Sequence, residues 1–88
     1  MSWNLRVLVT EEKMIGGADE LCFALHEVYY NSKKIPNTST KNPVKVLYDS
    51  VEGLKWYIEQ MNIALTKPAL WGDKRFPEEY KINNYENE

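Results

Sequence analysis

The chain has 88 residues, of which 43% are hydrophobic and 27% charged, and a formal net charge of −2. That composition fits one globular domain and excludes global disorder. It also excludes an overall basic field of the kind that draws a protein onto a nucleic-acid duplex.

The last sixteen residues hold five acidic and three basic side chains, so the tail carries the whole imbalance. Cys22 is the single cysteine, which excludes an internal disulfide and fits a reducing cytoplasm. Neither a signal-peptide pattern nor an apolar run of about 18 residues is present, so the expectation is a soluble, cytoplasmic protein with no membrane contact. Three Trp, six Tyr and two Phe exceed what a core this small can enclose, so several aromatic rings should be partly exposed.

Residues Trp3–Thr10 alternate, with Trp3, Leu5, Val7 and Val9 on one face and Asn4, Arg6, Leu8 and Thr10 on the other, which predicts a first strand. Gly16-Gly17 is a hairpin-type turn signal. Leu21–Tyr30 is rich in strand formers and mixed on both faces, which predicts a central strand covered in part on each side. Asn31–Pro43 carries two prolines and three asparagines and reads as a loop. Val44–Tyr48 reads as a short third strand.

Asp49–Pro68 has the strongest periodicity. Asp49 with Glu52 has capping-box spacing, Ser50 is the alternative cap, and Pro68 stops the helix. Val51, Leu54, Ile58, Met61 and Leu65 form one apolar stripe, with Tyr57 and Ala64 at its flank. Trp56 and Ile63 point away from that stripe, where polar residues belong. Either the C-terminal residues cover the pair or it lies in an interface with another chain. Beyond Pro68, Leu70, Trp71 and Phe76 are candidate anchors of a tail that ends frayed.

The expected architecture is therefore α+β: a three-stranded antiparallel sheet with strands near 3–10, 21–30 and 44–48. One amphipathic helix, about 50–66, lies across one face. Residues 1–70 form the domain and 71–88 a partly docked extension.

Candidate chemistry is sparse. His26 and Glu27 are strand neighbours and point to opposite faces. Cys22 and His26 share a face but stand about 13 Å apart along a strand, beyond the ~3 Å reach of a nucleophile–base pair. One His and one Cys make a poor metal set, and Gly16-Gly17 lacks the rest of a phosphate loop. No catalytic residue, cofactor or metal is expected. Lys33, Lys34, Lys41 and Lys45, beside Tyr29 and Tyr30, could make a small nucleic-acid surface, against an acidic whole.

Met1-Ser2-Trp3-Asn4, His26-Glu27-Val28-Tyr29-Tyr30, Asn42-Pro43-Val44, Asp49-Ser50-Val51-Glu52 and Ala64-Leu65-Thr66-Lys67-Pro68 together resemble a set of small bacterial proteins. That resemblance spans roughly residues 1–70 and implies no particular activity. The Asp49-Ser50-Val51-Glu52 cap with Leu54 is also similar to the half-domain of HicB-type antitoxins, in which a short sheet leads into one helix. The DNA-binding segment such antitoxins often append has no counterpart after Pro68. This similarity implies a protein-binding habit.

The functional expectation is a non-enzymatic protein-binding module. It would act as a homodimer, or as a small antitoxin-like or inhibitor-like partner such as a phage or mobile-element inhibitor of a host nuclease. Trp56, Ile63, Trp71, Tyr80 and Tyr85 are the candidate interface. The alternative is a nucleic-acid-binding module using the Lys33–Lys45 loop.

Overall fold

A computed structural model describes residues 2–13, 16 and 19–81. The chain runs β1 (Ser2–Lys13), β2 (Asp19–Tyr30), β3 (Pro36–Ser39), α1 (Val51–Ala64) and β4 (Leu70–Trp71). It is α+β, as its patterning indicates. The sheet, however, has four strands in the order β3-β2-β1-β4, and it is mixed. β1 pairs antiparallel with β2 from Ser2 opposite Tyr30 to Lys13 opposite Asp19. β2 pairs antiparallel with β3, while β4 lies parallel to β1. Gly16, at the turn between the long strands, has φ 99°, a left-handed value that suits glycine because it has no Cβ.

The third strand is not where the hydrophobic pattern puts it. Val44–Tyr48 forms no strand, and Val46, Leu47 and Tyr48 are exposed. Val44 alone of them bonds to the sheet, its N–H donating to the Leu25 carbonyl at 2.9 Å. β3 lies instead inside the polar stretch that reads as a loop. Asn31 makes this possible: its Oδ1 accepts from the N–H groups of Lys33 and Ile35 and holds the turn that brings the chain back along β2. Pro36, the first residue of β3, is tolerated because β3 is an edge strand. An edge strand faces solvent on one side and needs little hydrophobicity.

β4 was not anticipated either. Leu70 stands beside Leu8 and Trp71 beside Val9. The chain then doubles back: Trp71 N–H donates to Glu78 O at 2.8 Å, and Tyr80 N–H to Ala69 O at 2.9 Å. Leu70 is buried with Leu8 and Val28 in a core on the sheet face away from the helix, and Phe76 packs against it. The sheet is thus covered on both faces, by α1 on one and by the 70–76 segment on the other.

α1 is capped by Ser50, the alternative cap, rather than by an Asp49–Glu52 box. The Ser50 Oγ accepts from Gly53 N–H at 3.0 Å. The helix ends at Ala64, with Leu65 as C-cap, three residues short of Pro68. Its seat on the sheet also differs from the predicted stripe. The buried residues are Tyr57 and Ala64, packed with Leu5 and flanked by Leu25, Val44 and Met61. Leu54 and Met61 are half-buried, while Val51, Ile58 and Leu65 are exposed at 65%, 43% and 65%. The helix is turned by roughly 90° about its axis from the stripe's own orientation. Two side-chain properties account for the turn. Tyr57 supplies the largest surface to bury, and Ala64, one side chain of minimal size two turns on, lets the helix approach the sheet.

Ala64→Leu should therefore cost about 1–3 kcal/mol through overpacking. Lys55→Leu, on the exposed face, should change stability by less than about 0.5 kcal/mol. Urea denaturation of the two variants measures both values.

Candidate functional site

Apolar residues occupy most of the circumference of α1. Its polar ridge is narrow, formed by Glu52, Lys55, Glu59 and Asn62, all exposed. Between this ridge and the buried seam lie two apolar flanks, one on each side. Among the described residues of the whole chain, seven hydrophobic side chains are buried and twelve large ones are exposed. Much of the apolar surface of the described residues is thus uncovered.

The first flank is Trp56 and Ile63, exposed at 44% and 48%. The described part of the tail does not cover them, because it docks along β1 and against Leu8 and Val28. Their neighbour is instead Tyr48, from the segment leading into the helix. Its ring centroid lies 6.4 Å from that of Trp56 and 5.7 Å from that of Tyr57. Trp56 and Tyr57 stack at an interplanar angle of 21°. Gly53 provides the seat for the Tyr48 ring, since a Cβ there would stand 2.2 Å from Tyr48 Cδ2. Burial raises the Tyr57 phenol above its ordinary pKa, with the Glu27 and Tyr48 charges acting in the same direction. Leu47, Tyr48 and Asp49 line an open apolar concavity of about 450 Å³.

The second flank is Val51, Ile58 and Leu65. At the Leu65 end it borders a groove of about 400 Å³, whose walls are Val7, Phe23, Ala24, Leu25 and Leu65. Beyond Phe23 the aromatic surface continues. Phe23 meets Tyr80 edge to face at 5.5 Å, and Tyr80 meets Trp71 at 5.2 Å. The candidate interface residues therefore fall into two groups. Trp56 and Ile63 lie on one side of the helix; Trp71 and Tyr80 lie with Phe23 on the sheet. Tyr85 is outside the described residues. The Phe23 groove does not follow from the strand pattern, because β2 is mixed on both faces; Phe23 is 54% exposed.

The four lysines do not form one cluster. Lys33 and Lys34 occupy the β2–β3 turn, whereas Lys41 and Lys45 lie back along the sheet edge, where Thr40 pairs with Glu27 and Val44 with Leu25. His26 is buried, and its Nδ1–H donates to the Thr40 carbonyl at 3.0 Å. This bond ties the β3–α1 connection to β2. Cys22 is exposed further along β2. No group of three or more metal-ligating side chains occurs among the described residues, and none of their helices is long and apolar enough to cross a membrane. No family model, curated protein or solved structure matches the chain.

The tail is fastened by a charged clasp. The Arg75 guanidinium stacks over the Trp71 ring, 3.3 Å from its centroid. Its Nε donates to Asp73 Oδ1 at 3.0 Å and its Nη2 to Glu11 Oε1 at 2.9 Å. Hydrogen bonding from Arg75 holds the Asp73 carboxyl down at about 2. A lowered folded-state pKa means that the clasp contributes fully above the unfolded value, near 4, and is lost as pH falls through about 2. The Trp71 indole N–H resonance should therefore shift between pH 4 and pH 2, and Asp73→Asn should remove most of that shift. An Asp73→Asn titration indistinguishable from wild type would show that another group controls Trp71.

Proposed function

We propose that this chain is a non-enzymatic protein-binding module that works as a homodimer, with the Trp56 flank of α1 as its self-association surface. The observation that carries this reading is the rotation of the helix. By seating Tyr57 and Ala64 on the sheet, the fold leaves Trp56, Ile63, Tyr48 and Leu47 exposed, with the Tyr48 ring against that of Trp56. Trp and Tyr side chains of this kind are the commonest anchors of protein interfaces. A second copy suits the surface because the chain's own core is small. An 88-residue domain with two separate, thin cores gains stability by burying more area against a like chain.

The second flank supports the companion reading, an antitoxin-like or inhibitor-like partner. A dimer contact centred on Trp56 would leave the Phe23–Leu65 groove free, because the buried seam and the polar ridge separate the two flanks. A partner with an apolar anchor would fit that groove. The lysines are dispersed along an edge, which gives the nucleic-acid reading less support than either protein contact.

Sedimentation velocity over a hundredfold concentration range tests the dimer. The wild type should sediment as a dimer and Trp56→Glu as a monomer with an unchanged far-UV spectrum. A wild type that stays monomeric at millimolar concentration would refute self-association. An equal response from Phe23→Glu would place the dimer contact on the groove instead.

A further inference from the structure

On the sheet face away from α1 lies a concavity of about 310 Å³ whose charged groups are all cationic: Arg6, Lys34 and Lys67. They come from three separate places in the fold: β1, the β2–β3 turn and the segment after α1. Asn4 and Tyr30 lie between them, and Ser2 and Trp3 form the rim.

Arg6 is only 9% exposed. Its Nη1 donates to the Tyr30 hydroxyl oxygen at 2.9 Å and its Nη2 to the Pro68 carbonyl at 2.6 Å, while Tyr30 O–H donates to Asn4 Oδ1 at 2.8 Å. Those bonds explain the position of the side chain, and both acceptors are neutral. Arg6 Nε is buried with no hydrogen-bond partner, and no carboxylate among the described residues forms an ion pair with Arg6, Lys34 or Lys67. A buried cation without a counter-charge is costly. Three cations around one concavity, in a chain that is acidic overall, add mutual repulsion to that cost. Lys34 carries a further cost, since its φ of 63° lies in the left-handed region that glycine would occupy more easily.

We infer that this concavity binds a phosphate group carried by a small molecule. A phosphate supplies the missing negative charge and presents several acceptor oxygens to guanidinium and ammonium donors arriving from different directions. The volume is near the lower limit of small-ligand pockets, about 300 Å³. It is more than inorganic phosphate needs and leaves room for an attached group. The ligand class that matches the cationic lining and this volume is a phosphate monoester of a small organic group, of which a nucleoside monophosphate is a convenient probe. This site is independent of the Trp56 flank and stands whether or not the chain dimerises.

Isothermal titration calorimetry with inorganic phosphate and with adenosine monophosphate, on the full chain, tests the site. Saturable binding of the nucleotide is expected, together with a rise in melting temperature. Lys34→Gly and Lys67→Ala should each weaken it about tenfold, the scale of one charge-assisted hydrogen bond. Lys55→Ala, on the helix, should not. Lys34→Gly is the informative variant because it relieves backbone strain: it should keep or raise the melting temperature of the free protein while losing affinity. Tighter binding of the nucleotide than of inorganic phosphate supports the organic phosphate. Equal binding of the two overturns the assignment to an organic phosphate. The site is overturned by absence of saturable binding for both probes, or by a loss in Lys55→Ala equal to that in Lys34→Gly.

Discussion

The seating of α1 on Tyr57 and Ala64 determines which surfaces this protein buries and which it presents. A helix with apolar residues around most of its circumference has several ways to lie on a sheet. Here the choice falls on the face that combines one large aromatic ring with one minimal side chain two turns away. Tyr57 fills the space above Leu5, and Ala64 permits close approach near the helix end. Val51, Ile58 and Leu65 are thereby lifted to one side, and Trp56 and Ile63 to the other. Both exposed flanks, and the binding role proposed for them, follow from that one contact.

The rest of the fold supports the seat from below. The long β1–β2 pair is the frame, and each of its faces carries a small core. On the helix face Leu5 supports Tyr57 and Ala64. On the opposite face Leu8 and Val28 hold Leu70, and so hold the tail. Exposed ion pairs such as Arg75–Glu11 contribute little, because solvent and salt screen them. The hydrophobic anchors Leu70 and Phe76, rather than the charges, therefore carry most of the docking of the 70–80 segment.

The long strands were legible in the sequence because β1 alternates and β2 is rich in strand formers. The helix was legible from its period and its cap region. Its rotation was not: hydrophobicity ranks Ile58 and Leu65 above Tyr57 and Ala64, and it takes no account of ring size or of the close approach that alanine allows. β3 was hidden because an edge strand needs few apolar residues, and Pro36 and Asn37 read as loop. β4 was hidden because two residues, Leu70 and Trp71, pair with a strand some sixty positions earlier. The cationic concavity could not be read from spacing, since Arg6, Lys34 and Lys67 are distant in sequence. The one local signal was Arg6, a single cation between Leu5, Val7 and Leu8 on a strand whose two faces both prove to be covered.

The account rests on the outward flank of α1 being covered by a second chain. Isotope-filtered nuclear Overhauser spectra of a mixed sample, half methyl-labelled and half unlabelled, address this directly. The account predicts intermolecular contacts from the Ile63 methyl groups to aromatic protons of Trp56 or Tyr48 in the partner chain, and none from Leu8 or Val28. Intermolecular contacts confined to other residues, or absent at concentrations where the protein is fully folded, would contradict it.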